Sequence, residues 1–303
     1  MSGAVVLLTG GTGGAKLARG LADVTDDLVA IVNTGDDVEA YGGHVSPDPD
    51  LVTFWLADRI DARGWGLDGD TFHVMDGLRE LGDDVWFNLG DRDLALCVRR
   101  ARRLAEGASL TEAIAEQTAA LGVAARVLPM SDAPVRTRVR ARGTWRGLQE
   151  FLILDRGAGP VEDVAFDGAP AAAATDAVLD AIAGADVIVI GPSNPIISIG
   201  PILALADVRD ALAHADAPIV AVSPIVDGTV LKGPTAAFLE WAGQPATSAG
   251  VAALYGELLD GFVCDERIEG ATVPVLVTDV ELGTADQRAR VAREVLEFAR
   301  SLR

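Results

Sequence analysis

"AVVLLTGGTGGAKLARGL", residues 4–21, runs an unbroken apolar segment into four glycines, a lysine and then a helical pattern. Continuous rather than alternating apolarity marks a strand covered on both faces. A glycine-rich turn between such a strand and a helix lets peptide N–H groups close on a phosphate, because no Cβ stands in the way and the helix N-terminus adds partial positive charge. The unit therefore reads as the opening strand-turn-helix step of a parallel sheet. Gly10, Gly11, Thr12, Gly13 and Gly14 form a candidate phosphate cradle, and Lys16 is its cation.

The turn departs from two familiar motifs. In G-x-G-x-x-G counted from Gly11 and Gly13, the last glycine falls on Lys16. A P-loop needs glycine where Ala15 stands and Ser or Thr where Leu17 stands. NAD and ordinary triphosphate readings both weaken, while a diphosphate over residues 10–14 remains chemically sensible.

Further β-rich runs follow at 28–34 (LVAIVNT), 186–191 (DVIVIG), 218–223 (PIVAVS) and 273–279 (VPVLVTD). Helical periodicity covers 14–24, 50–61, 70–81, 91–106, 199–214, 234–242, 248–260 and 284–302, with capping-box starts at SLTE (109–112) and TADQ (284–287). Alternation about a glycine-bearing turn predicts a β-ribbon near 135–154. The expected fold class is α/β, with a Rossmann-like core, a mostly parallel sheet, and an inserted, largely helical subdomain with a β-ribbon over roughly 36–165. The whole chain, 1–303, is expected to form a single such domain.

In open parallel sheets ligands gather outside the carboxyl ends of the strands. There this sequence carries NTGDD (33–37), GPSNP (191–195) and SPIVDG (223–228) as well as the glycine turn. Three acidic pairs stand out: Asp36 with Asp37, Asp48 with Asp50, and Asp91 with Asp93. Hard oxygen ligands of this kind suit Mg²⁺, which is held by one or two carboxylates plus substrate phosphate and water. Capping competes, since Asp50 can cap LVTFWLADRI and Asp91 can cap RDLALCVRRARRLA. Arg92 suits an anion or an aromatic face, with a salt bridge to a neighbouring Asp as the plainer reading. In GPSNP, prolines stiffen the loop and aim Ser193 and Asn194 outward, where an amide suits a nucleobase edge; a tight turn without a ligand is the alternative.

A net charge of −20 repels nucleic acid and anionic membrane surfaces. No apolar run approaches the roughly 20 residues of a membrane span, and the start lacks a cationic leader, so a cytoplasmic protein is expected. Only two lysines, Lys16 and Lys232, stand against 23 arginines, and Lys16 is the better placed for function. Cys97 and Cys264 fit neither a disulfide framework nor a zinc site, and His44, His73 and His214 stand at unrelated positions. No nucleophile elbow or zinc-hydrolase motif is present.

Taken in order, GGTGGAKLARGL, VNTGDDVEAYGGHVSPDPDLVTFWLADRID, GWGLDGDTFHVM, LGDRDLALCVRRARRLAEGASLT, LPMSDAPVRT, LQEFLI, GPSNPIISIGPILAL and VSPIVDGTVLKGP span residues 8 to about 235, and YGELLDGFVCDE continues the likeness. The set resembles the 2-phospho-L-lactate transferase family. That resemblance implies a Rossmann-like homodimer that requires Mg²⁺ and acts in coenzyme F-420 biosynthesis. It implies transfer of a phospholactyl or phosphoenolpyruvyl unit from a guanosine diphosphate-linked donor to the ribityl hydroxyl of the deazaflavin Fo, with release of GMP. It further implies that Asp50, the last aspartate of SPDPD, and Arg92 of GDRD position Fo. On this reading the donor pyrophosphate lies on Gly10 to Gly14 near Thr12 and Lys16, Ser193 and Asn194 border the guanosine, and Asp37, Asp48 and Asp50 are candidate Mg²⁺ ligands, with Asp50 alternatively orienting or deprotonating the ribityl hydroxyl. Asp50→Ala is then expected to abolish transfer and spare the fold, as befits a loop carboxylate. The alternative is a non-catalytic nucleotide-sugar-binding regulator of the gluconeogenesis-factor type, which shares the GGTG start and the acidic pair but is not expected to carry SPDPD, GDRD and GPSNP in these contexts.

Overall fold

The structure, a computed structural model, describes residues 3–230 and 234–303, so Lys232 lies outside the described residues. Seven strands form the central sheet: β1 (Ala4–Thr9), β2 (Leu28–Val32), β3 (Arg126–Pro129), β4 (Ala185–Ile190), β5 (Ile219–Val222), β6 (Gly261–Cys264) and β7 (Val275–Val277). All neighbours pair in parallel, in the order β7-β6-β5-β4-β1-β2-β3. The chain builds outward from β1 to β3 and then returns to lay β4 to β7 on the other side. Its direction reverses between β1 and β4, which opens the crevice at their carboxyl ends.

Successive side chains of a strand point to opposite faces, so an apolar run needs cover on both. Val5, Leu7, Ala30, Val32, Val187 and Val189 pack in one layer with Leu17 and Leu21 of the first helix, α1 (Gly11–Ala22), and with Val291 and Val295 of the helix Ala285–Ser301. Val6, Leu8, Val29, Ile31, Ile188 and Ile190 pack in the opposite layer with Val178, Ile182, Val208 and Leu212 from the helices Asp176–Ala183 and Ala206–Ala213. Each buried Val, Leu or Ile among them contributes roughly 1.5–3 kcal/mol, which anchors the sheet edge as a rigid floor. Among the described residues no helix is long and apolar enough to cross a membrane.

Within 36–165 the chain forms the hairpin Val38–Ala40/Gly43–Val45 and the helices α2 (Pro47–Leu56), α3 (His73–Glu80), α4 (Asp91–Ala105) and α5 (Leu110–Ala120). Ala40, Val45, Met75, Leu89, Leu94 and Cys97 give this region a small core of its own. The same span also supplies β3 to the edge of the central sheet, so it leaves and re-enters the core. The ribbon forms as Arg136–Ala141 against Thr144–Gly147, turning at Arg142 and Gly143, whose φ angles of 51° and 72° suit a two-residue hairpin. Val161–Asp167 adds a third strand to it.

Caps follow a crossed pattern at the base of α3 and α4. Asp91, which the sequence offers as the cap of its own helix, instead accepts from Thr71 Oγ1 (2.6 Å), Val74 N (3.0 Å) and His73 N (3.1 Å) at the start of α3. Asp70 in turn accepts from Arg92 N (2.9 Å) and Asp93 N (3.2 Å) at the start of α4. The exchange clamps the two helix starts together and aims the first turn of α4 at the crevice.

Candidate active site

A cavity of about 1000 Å³ lies over the carboxyl ends of β1 and β4, roofed by the helical region. Gly10, Gly11, Thr12, Gly13 and Lys16 line it from the sheet side, together with Pro192, Ser193, Asn194 and Ser223. The glycine turn is bare mainly because protein crowds it from behind. An added Cβ at Gly13 would collide with the Pro192 carbonyl, and one at Gly14 with Thr9 Oγ1 and Ser193 Oγ. Gly14 is absent from the wall and acts in this packing.

Two amides of the turn already have protein partners. Gly10 N donates to Ser193 Oγ (3.3 Å) and Gly11 N to Asp48 Oδ1 (2.6 Å). The first-turn N–H groups of Thr12 and Gly13 have no acceptor inside a helix, and both residues line the cavity. The cradle is therefore narrower than residues 10–14. Lys16 reaches the same wall and lies 5.8 Å from the centroid of the Trp55 ring.

Asp48 and Asp50 both lie in the first turn of α2, inside the helix that begins at Pro47. Asp48 Oδ2 accepts from Asn33 Nδ2 (2.8 Å), which also reaches Asp36 Oδ1 (3.2 Å). Burial pushes Asp48 up to about 6, against the opposing pull of the Asn33 and Gly11 donors. Asp36 lies well above the ordinary carboxylate range, first through burial and then through Asp48 and Asp37.

Asp50 is neither a helix cap nor a loop carboxylate. Both Nη atoms of Arg100 donate to it, Nη1 to Oδ2 at 3.1 Å and Nη2 to Oδ1, and Gln117 Nε2 donates to Oδ1 at 2.6 Å. Burial works against the Arg100 charge, yet the adjoining Asp50 holds it above its ordinary value. Removing Asp50 strands a buried guanidinium, so the expectation that Asp50→Ala spares the fold is corrected.

Asp37, Asp48 and Asp50 do not converge on a single point. Asp37 stands outside the cavity wall, where Oδ2 accepts from Ser46 Oγ (2.6 Å) and lies 3.0 Å from His44 Nε2. Among the described residues the one set of three or more His, Cys, Asp or Glu side chains whose ligand atoms all lie within 4.8 Å of one another is Asp50, Asp93 and Cys97. Burial, then the Asp50 charge, pushes Asp93 up to about 7, and burial also raises the Cys97 thiol, which makes it a poor ligand for a hard cation.

Ser193 and Asn194 fold inward. Ser193 Oγ donates to the Gly10 carbonyl and so ties the two edge loops together. Asn194 Oδ1 accepts from Ile196 N (2.9 Å) and Ile197 N (3.1 Å), and Nδ2 donates to Thr235 Oγ1 (3.2 Å). The amide expected at a base edge therefore braces its own loop. Arg92 is exposed, one residue outside the wall, with Nη1 3.5 Å from the Asp68 carbonyl.

The cavity also has an aromatic lining, made by Phe54, Trp65, Phe72, Trp86 and Phe87. Trp65 is 60 % exposed at the rim, on a loop closed by an Ile60–Leu67 bridge and by Arg63 Cζ 5.6 Å from the Phe72 ring centroid. Sequence reasoning missed this wall, and also Asn33, Arg100 and Gln117. The GWG and DTF segments were the available signal for the aromatics, while the buried hub residues carried none.

A family model described as 2-phospho-L-lactate transferase CofD matches residues 5–287. The 2-phospho-L-lactate transferase of Methanosarcina mazei is 38 % identical over 266 residues, 87 % of each chain. The protein of the same name from Methanocaldococcus jannaschii is 34 % identical over 309 residues, covering 98 % of this chain and 99 % of its own. A phosphoenolpyruvate transferase from Kitasatospora aureofaciens is 38 % identical over 321 residues, covering 99 % and 98 %. In fold, the chain is similar to the crystal structure of a UPF0052-family protein from Bacillus halodurans, with a TM-score of 0.67 at 17 % identity over 98 % of this chain and 99 % of that one.

Proposed function

The chain belongs to the 2-phospho-L-lactate transferase family of enzymes, and on that premise we propose that it moves a phospholactyl or phosphoenolpyruvyl unit from a guanosine diphosphate-linked donor to the ribityl hydroxyl of Fo, releasing GMP. One observation carries the reading. A single cavity brings together first-turn amides with a lysine, a row of carboxylates, and an aromatic wall.

The division of the walls matches the two substrates. A pyrophosphate suits the Thr12 and Gly13 amides and the Lys16 ammonium, where helix N-terminus and cation both favour negative charge. A flat heteroaromatic acceptor suits Trp65, Phe72, Trp86 and Phe87, because every planar π-face can stack on them. Arg92, next in sequence to Asp93 of the wall, is a further cation for an anionic substrate. Bringing the acceptor hydroxyl in line with the attacked phosphorus is the main demand of such a transfer, and no protein nucleophile is required.

Asp50 accepts three hydrogen bonds among the described residues, so of roughly four lone-pair sites one remains on Oδ2. That site orients the acceptor hydroxyl. Magnesium fits the chemistry of the donor set: Asp93 is a hard oxygen ligand beside Asp50, and its raised pKa is relieved by a neighbouring cation. Asp93 would hold the ion, with substrate phosphate and water filling the remaining positions. When bound, Mg²⁺ supplies charge neutralisation for the departing phosphate. Asp48 meanwhile keeps the turn in shape through Gly11 and Asn33. We take the working unit to be a homodimer, as the resemblance implies, which light scattering of the purified protein checks.

Incubation with Fo, the guanosine donor and Mg²⁺ tests the reading. GMP and a phosphodiester-linked deazaflavin should form in equal amounts. Nucleotide binding without any GMP would favour a regulator instead.

A further inference from the structure

We propose that Arg100, together with Gln117, is a positioning residue that fixes the one open lone pair of Asp50 on the acceptor hydroxyl; the inference rests on the transferase reading above. Asp50, Arg100 and Gln117 come from α2, α4 and α5, three helices that the chain has no local reason to bring together. The Arg100 side chain is wholly buried. Its Nη1 donates to the His44 carbonyl (2.8 Å) as well as to Asp50, and its Nη2 to Gln117 Oε1 (2.8 Å) as well as to Asp50. Gln117 closes the ring by donating to Asp50 Oδ1. Both carboxylate oxygens are thus held, and rotation of the Asp50 side chain would break several hydrogen bonds together.

Stability alone does not call for this arrangement. A buried ion pair is often no better than well-packed apolar residues of the same volume, and Arg100 Nε is left buried without a hydrogen-bond partner among the described residues. What the pair supplies is direction. A planar fork that meets a carboxylate at two points fixes its plane, whereas a lysine in the same place supplies charge without the fork. Since a misplacement of about 1 Å can cost on the order of 10²-fold in rate, a carboxylate that orients an attacking hydroxyl gains from that constraint.

The test is a double-mutant cycle on the full-length protein, with Arg100→Lys and Gln117→Leu each made in the wild-type and in the Asp50→Asn background. In the wild-type background, Arg100→Lys should lower kcat about 10–100-fold and weaken ion-free binding of Fo, followed by its fluorescence, while KM for the donor stays unchanged. In the Asp50→Asn background neither substitution should have a further effect, because the carboxylate through which they act is gone. Gln117→Leu, which keeps the ion pair, carries the same test if Arg100→Lys does not fold. Equal losses in both backgrounds, or wild-type kcat in the single variants, would overturn the assignment. Wild-type protein that releases no GMP would defeat the transferase reading itself, a different outcome from an active wild type with uncoupled variants.

Discussion

Asp50, which on the proposed function orients the acceptor hydroxyl, is also one half of a buried ion pair. Its position beside a wholly buried Arg100 means that Asp50→Ala removes an orienting group and strands a charge at the same time. Transfer should fall by at least about 10²-fold and the fold should lose about 3–5 kcal/mol, read as turnover and as a denaturant midpoint; an unchanged midpoint would contradict the pairing. Buried Asp36, raised in the same direction, contributes a pH dependence of the same sign, and Asp48 and Asp93 are the members whose range is defined. Their folded pKa values of about 6 and about 7 stand above the ordinary 3.8. A raised folded pKa favours the protonated folded form, so this stabilisation is complete below about pH 4 and is lost as the pH rises toward 7, at about 1.4 kcal/mol per pH unit for each group. In ion-free melts, Asp93→Asn should flatten that decline relative to wild type. Identical slopes would remove Asp93 as its source. The candidate carboxylates were legible in SPDPD and GDRD, but their partners were not, since Arg100 and Gln117 lie 50 and 67 residues from Asp50 and look like ordinary members of amphipathic helices.

At the scale of elements, the glycine turn owes its composition to close packing as much as to any ligand. Gly14→Ala should force α1 off the β1–β4 edge and cost about 1–3 kcal/mol, with donor affinity falling in parallel, which a thermal melt and a nucleotide titration together check. The rim loop makes the complementary prediction. Trp65→Ala should weaken Fo binding about tenfold, within the 1–3 kcal/mol of a lost aromatic stack, and leave donor affinity as it was. Strong periodicity made most helices readable, and the capping boxes at Ser109 and Thr284 form as read. The errors have local causes. The helix expected over 199–214 is broken into Gly200–Leu203 and Ala206–Ala213, because Leu205 adopts extended backbone. The strand β6 is four residues long and opens on a glycine, too short for an apolar run to announce. Asn194 kept its side chain for its own loop, a common use of asparagine between turns that the flanking, buried prolines do not prevent.

For the whole molecule, the parallel sheet was readable because strands buried on both faces cannot hide their apolarity, and its reversal between β1 and β4 then dictates where a ligand sits. The aromatic wall was not readable as a wall, since Phe54 comes from α2, Trp65 and Phe72 from the connection between α2 and α3, and Trp86 from that between α3 and α4, and they share a cavity only in the folded chain. The fold is shared with a UPF0052-family protein, which by itself leaves chemistry open, so the chemistry rests on the cavity. That cavity's central claim is one chamber with a phosphate side and an aromatic side. A crystal structure of the protein with guanosine diphosphate and Fo tests it most directly: diphosphate oxygens should lie against the Thr12 and Gly13 amides near Lys16, with the deazaflavin ring among Trp65, Phe72 and Trp86. A nucleotide lodged away from the glycine turn, or a ring bound outside the aromatic wall, would contradict the account.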